Sequence, residues 1–279
     1  MKPMNKIFKV IFLHVVVLIS LQTWASPPKV GLALGGGGAK GAATIGALKV
    51  VEKAGIKVDY IAGTSIGAII GGLYASGYTV SEMETLFLSQ DWQDILEGHR
   101  IDAKLNKLLA DHNVSTFQDT SIPFRCVAAD QKTMEEVVLS SGSLPIAIRA
   151  SMSIPKFYEP VKWGNVYLID GGVINNLPVD VVKDMGADIV IAIDLEQGRS
   201  YSLAGFSFKI GGLADWFLAR PDIPKRMENI KVADVHIHPR LPDFTAMSFG
   251  HDNCELMMQL GEKEANDHWD ELIEIKNRQ

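Results

Sequence analysis

Val30-Gly31-Leu32-Ala33-Leu34-Gly35-Gly36-Gly37-Gly38-Ala39-Lys40-Gly41 opens a pattern that Tyr60-Ile61-Ala62-Gly63-Thr64-Ser65-Ile66-Gly67 repeats. Each stretch is a short apolar run closed by glycines. Each is followed by a helical stretch of small residues, Ala42 to Ala54 in the first case and Ser65 to Ser76 in the second. Gly55 and Gly77 stand where those helices should stop. Further strand candidates are Phe124 to Ala129, Val166 to Ile169, Ile189 to Ile193 and Val235 to Ile237. Strands alternating with helices predict an α/β protein, a three-layer α/β/α sandwich with a mostly parallel central sheet covered on both faces. No linker divides the chain, so residues 26–279 are expected to form one domain. The last stretch, Cys254 to Ile275, reads as a surface helix.

Ahead of this body lies a leader. Lys2, Lys6 and Lys9 precede the apolar run Val10 to Leu21, and small residues lead to a cleavage point at Ala25. Residues 1–25 thus read as a signal peptide, which places the body outside the cytoplasm, in the periplasm or secreted. The run is short for a membrane span, although an uncleaved N-terminal anchor is the alternative. Removing the leader takes three lysines and no acids from a chain of net charge −6, leaving −9. An acidic body argues against nucleic acid as partner. Cys126 and Cys254 are the two cysteines. They exclude a disulfide scaffold and a zinc site, and leave a single disulfide open. Cys126, inside an apolar run, reads as a small core residue.

Three motifs carry chemistry. Gly63-Thr64-Ser65-Ile66-Gly67 is a G-x-S-x-G at a strand–turn–helix junction, the setting of a nucleophilic serine. Its bland alternative is a glycine-rich turn. Gly35 to Gly41, with Lys40, is a loop of exposed backbone N–H groups suited to an oxyanion or a phosphate. Gly36, Gly38 and Gly41 also match the dinucleotide pattern G-x-G-x-x-G. That pattern wants a ribose-binding acid at the end of the second strand, where Gly63-Thr64-Ser65 stands instead. Asp170-Gly171-Gly172 follows the strand Val166 to Ile169, and by itself could be only a turn. Since the C-terminal ends of parallel strands share one edge, all three motifs are expected to converge on one crevice.

In this combination and order, the glycine-rich loop, GTSIG and DGG resemble the patatin-like phospholipase family. Arg149-Ala150-Ser151-Met152-Ser153-Ile154-Pro155, Asn175-Asn176-Leu177-Pro178 and Ala187 to Asp194 extend the resemblance, which covers Lys29 to Pro239. The resemblance implies a patatin-like fold and a serine lipid acyl hydrolase, a phospholipase A or esterase, working by a Ser-Asp dyad. Ser65 would be the nucleophile, Asp170 its base, and Gly36, Gly37 and Gly38 the oxyanion hole. Gly35, Lys40, Gly41, Gly63, Gly67, Gly171 and Gly172 would support them. It implies no cofactor and no metal, a lipid substrate at a membrane or micelle surface, and no obligate protein partner. It also resembles bacterial exported members. Some of those carry C-terminal membrane-inserted domains; none is expected here, since the chain ends soon after the catalytic body.

Other functions remain to be weighed. A non-catalytic lipid-binding module on the same fold would need neither Ser65 nor Asp170. A histidine triad is possible in chain order, because His236 and His238 alternate along the strand-like run Val235 to Pro239 and so share a face. They read more simply as partly buried strand histidines. Lys40 either steadies the loop or meets a lipid phosphate, or is merely solvated. Tyr201 to Leu218, rich in Phe206, Phe208, Trp216 and Phe217, reads as a lid or as a segment packed on the sheet.

Overall fold

The computed structural model describes residues 26–90, 92–97, 100–197 and 222–279. Residues 1–25, read above as a signal peptide, and the aromatic segment Tyr201 to Leu218 lie outside them. An eight-stranded sheet forms the middle layer. Its strands are β1 (Val30–Leu34), β2 (Tyr60–Thr64), β3 (Phe124–Asp130), β4 (Glu136–Leu139), β5 (Val161–Trp163), β6 (Val166–Asp170), β7 (Ile189–Ile193) and β8 (Val235–Ile237). They lie in the order β5-β6-β3-β2-β1-β7-β8, with β4 also paired to β3. The run β3-β2-β1-β7-β8 is parallel, as the alternation of strands and helices requires. The pairings of β4 and β6 with β3, and of β5 with β6, are antiparallel.

Burial on both faces explains the unbroken apolar runs. Leu32, Leu34, Ile61, Ile191 and Ile193 point into the larger core with α1 (Gly41–Lys53) and α2 (Ile66–Ala75). Ala33, Ala62, Val127, Val190 and Ala192 point the other way, against Val179, Val181 and Val182 of α7 (Val179–Asp184). Between these lie α3 (Val80–Ser89), α4 (Trp92–Glu97), α5 (Ile101–Asp111) and α6 (Leu144–Ser151). Then come α8 (Asp222–Val232), α9 (His251–Asp267) and α10 (Trp269–Arg278). Cys126 in β3 and Cys254 in α9 are both buried and free. Among the described residues no helix is long and apolar enough to cross a membrane.

The C-terminal stretch corrects the sequence expectation. It forms two helices rather than one, and α9, a helix at the surface, has one buried face. It buries Cys254, Met257, Met258, Gly261 and Ala265. It packs on α1 backbone to backbone: a Cβ built on Gly261 would lie 1.9 Å from the Ala43 carbonyl oxygen, and one on Gly46 would lie 1.9 Å from that of Met258. An approach this close needs a small residue on each helix, and a charged sequence disguises it. Gly261→Ala tests it. Alanine is worth up to ~1 kcal/mol over glycine in a helix interior. Forcing two helices apart costs about 1–3 kcal/mol. The second effect is expected to win, lowering the Tm by several degrees in a calorimetric scan. A raised Tm would show that the helices can part freely.

Candidate active site

The serine elbow is built by close backbone approach. A Cβ on Gly63 would lie 2.2 Å from the Gly67 carbonyl oxygen, and one on Gly67 would lie 2.2 Å from that of Leu34. Only glycine fits either position, so the chain can reverse from β2 into α2 within one residue. Ser65 takes that reversal with φ 56 and ψ −122, a strained conformation for a residue with a side chain. It stands at the head of α2, where unpaired amides favour negative charge.

Asp170 reaches the serine by a route that the parallel-sheet expectation did not foresee. β6 is antiparallel to β3, so its C-terminal end does not share an edge with those of β1 and β2. The register brings the two together instead. Thr64 pairs with Val127, and β3 continues three residues beyond that point. Ala128 and Ala129 pair with β4 on one edge, so β6 must take the other, the edge that β2 has just vacated. Asp170 pairs with Ala128, next to the partner of Thr64. β2 and β6 therefore meet head-on along one edge of β3, with Ser65 and Asp170 at the junction. Gly171 makes the following turn possible, since its Cβ would lie 2.2 Å from the Val127 carbonyl oxygen.

At that junction the Ser65 hydroxyl donates a hydrogen bond to Asp170 Oδ2 at 2.8 Å. Asp170 Oδ1 accepts the Gly172 amide at 2.7 Å. Both side chains are nearly enclosed, Ser65 at 8% exposure and Asp170 at 5%. Burial raises the Asp170 carboxyl to about 6, against the opposing pull of the Gly172 and Ser65 hydrogen bonds. A carboxylate so placed is ionised at neutral pH yet more basic than an exposed one.

The glycine-rich loop lies over the serine. A Cβ on Gly36 would fall 3.1 Å from Ser65 Cβ. Gly35 extends β1 by donating to Ile193 O at 2.9 Å. Gly38 has φ +59, and Gly38 to Lys40 form a single turn leading into Gly41 and α1. Lys40 is half-buried there. The three candidate oxyanion amides are not equivalent. The Gly36 N–H donates to Asn176 O at 3.1 Å, which corrects the expectation that it faces the reaction centre. The Gly37 and Gly38 amides donate to no partner among the described residues.

The histidines belong to a different structure. His236 Nε2 bonds Asp194 Oδ2 at 2.9 Å, and His238 Nε2 bonds the Glu196 carbonyl. β8, which holds His236 and ends just before His238, lies three strand spacings from β2, about 14 Å across the sheet. Asp194 also pairs with Arg226 of α8. Burial by itself would raise the Asp194 carboxyl, but the bonds from His236 and Arg226 outweigh it and hold it low. Arg149 likewise has a structural role, donating to Ser153 Oγ at 2.6 Å and lying over the Tyr158 ring. Among the described residues no group of three or more His, Cys, Asp or Glu side chains is placed to hold a metal ion.

Several supporting residues escaped the motif search. Thr64 Oγ1 donates to Asn175 O at 2.8 Å. The Asn176 side chain also donates to Gly36 O at 3.3 Å, so this one residue grips both sides of Gly36. Ser151 Oγ accepts the Ser65 amide at 3.0 Å. The signal for them was present as Asn175-Asn176 and Ser151-Met152-Ser153, but polar residues in loops carry no periodicity to mark what they bind.

Residues 32–183 match the sequence profile of the family described as Patatin-like phospholipase. The chain belongs to that family. This patatin-like phospholipase is 32% identical to human Patatin-like phospholipase domain-containing protein 6 over 74% of its own length and 16% of that protein. It is 28% identical to Neuropathy target esterase sws of Drosophila melanogaster, over 82% of this chain and 19% of the relative. A lysophospholipase of Emericella nidulans is 34% identical over 66% of this chain and 13% of the relative. The chain thus spans less than a fifth of the length of these relatives. Among solved structures, the ExoU–SpcU complex of Pseudomonas aeruginosa superimposes with a TM-score of 0.52, covering 89% of this chain and 52% of that one. At 17% identity that likeness concerns the fold alone.

Proposed function

We propose that this patatin-like phospholipase is a serine acyl hydrolase in which Ser65 and Asp170 form a catalytic dyad. The observation that carries the proposal is the 2.8 Å hydrogen bond from the Ser65 hydroxyl to Asp170, both enclosed and with the serine on a strained turn. A lipid-binding module would have no use for such a pair. In the reaction, Ser65 Oγ attacks the acyl carbonyl carbon while Asp170 takes the hydroxyl proton. The Gly37 and Gly38 amides receive the oxyanion. The tetrahedral adduct collapses, and Asp170 returns the proton to the departing alcohol. Water then attacks the acyl-serine, losing its proton to Asp170, and as the acyl–oxygen bond breaks Asp170 returns that proton to Ser65 Oγ and the fatty acid leaves.

The substrate we assign is a fatty acyl ester presented at a membrane or micelle surface. Relatives named as an esterase and a lysophospholipase make lysophospholipids and diacyl phospholipids the first to test. The chemistry is tested by a fluorophosphonate, which phosphonylates an activated serine hydroxyl. Wild type should be labelled at Ser65 and should hydrolyse a p-nitrophenyl acyl ester. Ser65→Ala should lose both with its thermal unfolding little changed. Wild-type turnover by folded Ser65→Ala would sink the assignment.

A further inference from the structure

The amide of Ser65 is held by another serine. Ser151, the last residue of α6, is fully enclosed. Its Oγ accepts the Ser65 N–H at 3.0 Å and donates to Val127 O at 2.6 Å. The donor and acceptor roles are therefore fixed: the hydroxyl proton goes to Val127, and a lone pair faces Ser65. Val127 is the β3 residue paired with Thr64, one position before the partner of Asp170. Two residues further along, the Ser153 carbonyl accepts the Asp170 amide at 2.9 Å. The end of α6 thus touches both halves of the Ser65–Asp170 pair. One contact goes through a side chain and the other through the backbone.

We propose that Ser151 is a positioning residue for the nucleophile, holding the Ser65 peptide in its positive-φ elbow so that the hydroxyl stays within reach of Asp170. It has a second consequence. With its own N–H engaged, Ser65 supplies no amide to the oxyanion, which falls to the glycine-rich loop. The proposal rests on the function proposed above. Mere satisfaction of buried polar groups would have a different signature. Losing it would weaken the fold, but would leave the serine's chemistry unchanged in whatever protein remained folded.

Ser151→Ala removes one oxygen and leaves the packing otherwise in place. On a soluble p-nitrophenyl ester, kcat should fall about 10²-fold, the scale of a misplaced reacting group, with KM nearly unchanged. The acid limb of kcat/KM should also move to higher pH, because a loosened Ser65–Asp170 bond no longer helps to keep Asp170 ionised. Ser151→Thr, which keeps the hydroxyl, should recover most of the rate. Folded Ser151→Ala with wild-type kcat and an unmoved acid limb would overturn the proposal. If the alanine variant does not fold, Ser151→Cys, close in size but a poor hydrogen-bonding partner, carries the same comparison. Wild type that neither hydrolyses the ester nor takes the fluorophosphonate would remove the dyad itself, an outcome distinct from a silent Ser151 in an active enzyme.

Discussion

Asp170→Asn is expected to abolish turnover and, above pH 6, to make the protein more stable. The two effects share one cause. Asp170 is enclosed, and burial lifts its carboxyl from an ordinary 3.8 to about 6. A base of that strength can take the serine proton at neutral pH. Removing a general base costs about 10²–10⁴-fold, and the upper end is expected because the proposed dyad has no histidine to share the task. For stability, the sign follows from proton binding. Between pH 3.8 and 6 the folded protein holds a proton that the unfolded chain has lost. The stability linked to that proton is present in full below 3.8 and is lost as pH rises through about 6. The loss corresponds to ~3 kcal/mol for the full span. Asparagine has no proton to lose. It can still accept the Gly172 amide through its carbonyl oxygen. Its Tm should therefore exceed that of wild type at pH 7.5, with the gap closing near pH 4. Wild-type kcat/KM should rise about tenfold per pH unit below 6 and level off above it. Calorimetry of both proteins across pH, beside the pH–rate profile, checks the pair of claims. A variant that is less stable at pH 7.5 would contradict the buried-charge account.

Gly38→Ala is the second change with a large expected effect. Gly38 has φ +59, where a Cβ is disfavoured by about 1–2 kcal/mol. Here the Cβ would also lie 2.4 Å from the Ala246 carbonyl oxygen. That oxygen accepts the Ala39 amide at 2.9 Å, so backbone must move on one side or the other. The loop would turn, carrying the Gly37 and Gly38 amides away from the developing charge. Misdirecting an oxyanion donor costs about 10²–10³-fold in kcat. The ground-state ester carries little charge, so KM should change far less. Slow fluorophosphonate labelling of Ser65 should persist, since the nucleophile is untouched. Steady-state kinetics on a soluble ester, with isothermal calorimetry against a dinucleotide, separates the two uses such a loop could have. Unchanged kcat would remove the loop from the oxyanion role, and tight nucleotide binding by wild type would revive the phosphate-binding alternative.

The sequence by itself determined the layered α/β architecture, the core strands and the two residues, Ser65 and Asp170, proposed as the reacting pair. The reason is that each leaves a local mark. A strand buried on both faces must be apolar along its whole length, so Val30–Leu34 and Ile189–Ile193 were legible to the residue. A serine on a one-residue reversal must have small neighbours, so Gly63 and Gly67 advertised it. What tertiary structure decided were relations between segments far apart in the chain. Whether β6 runs with or against β3 is invisible in Val166–Asp170, whose five residues would suit either direction. The head-on meeting of β2 and β6 depends on how far β3 overhangs its neighbour. The engagement of the Gly36 amide depends on Asn176, 140 residues away. The backbone contact of α9 with α1 hid behind a polar helix sequence because the contact is made by glycine, which has no hydrophobic signature. Composition and spacing specify what a segment can bury; only the packed chain specifies which polar atom meets which, and in this site that set both the raised carboxyl of Asp170 and the engagement of the Gly36 amide by Asn176.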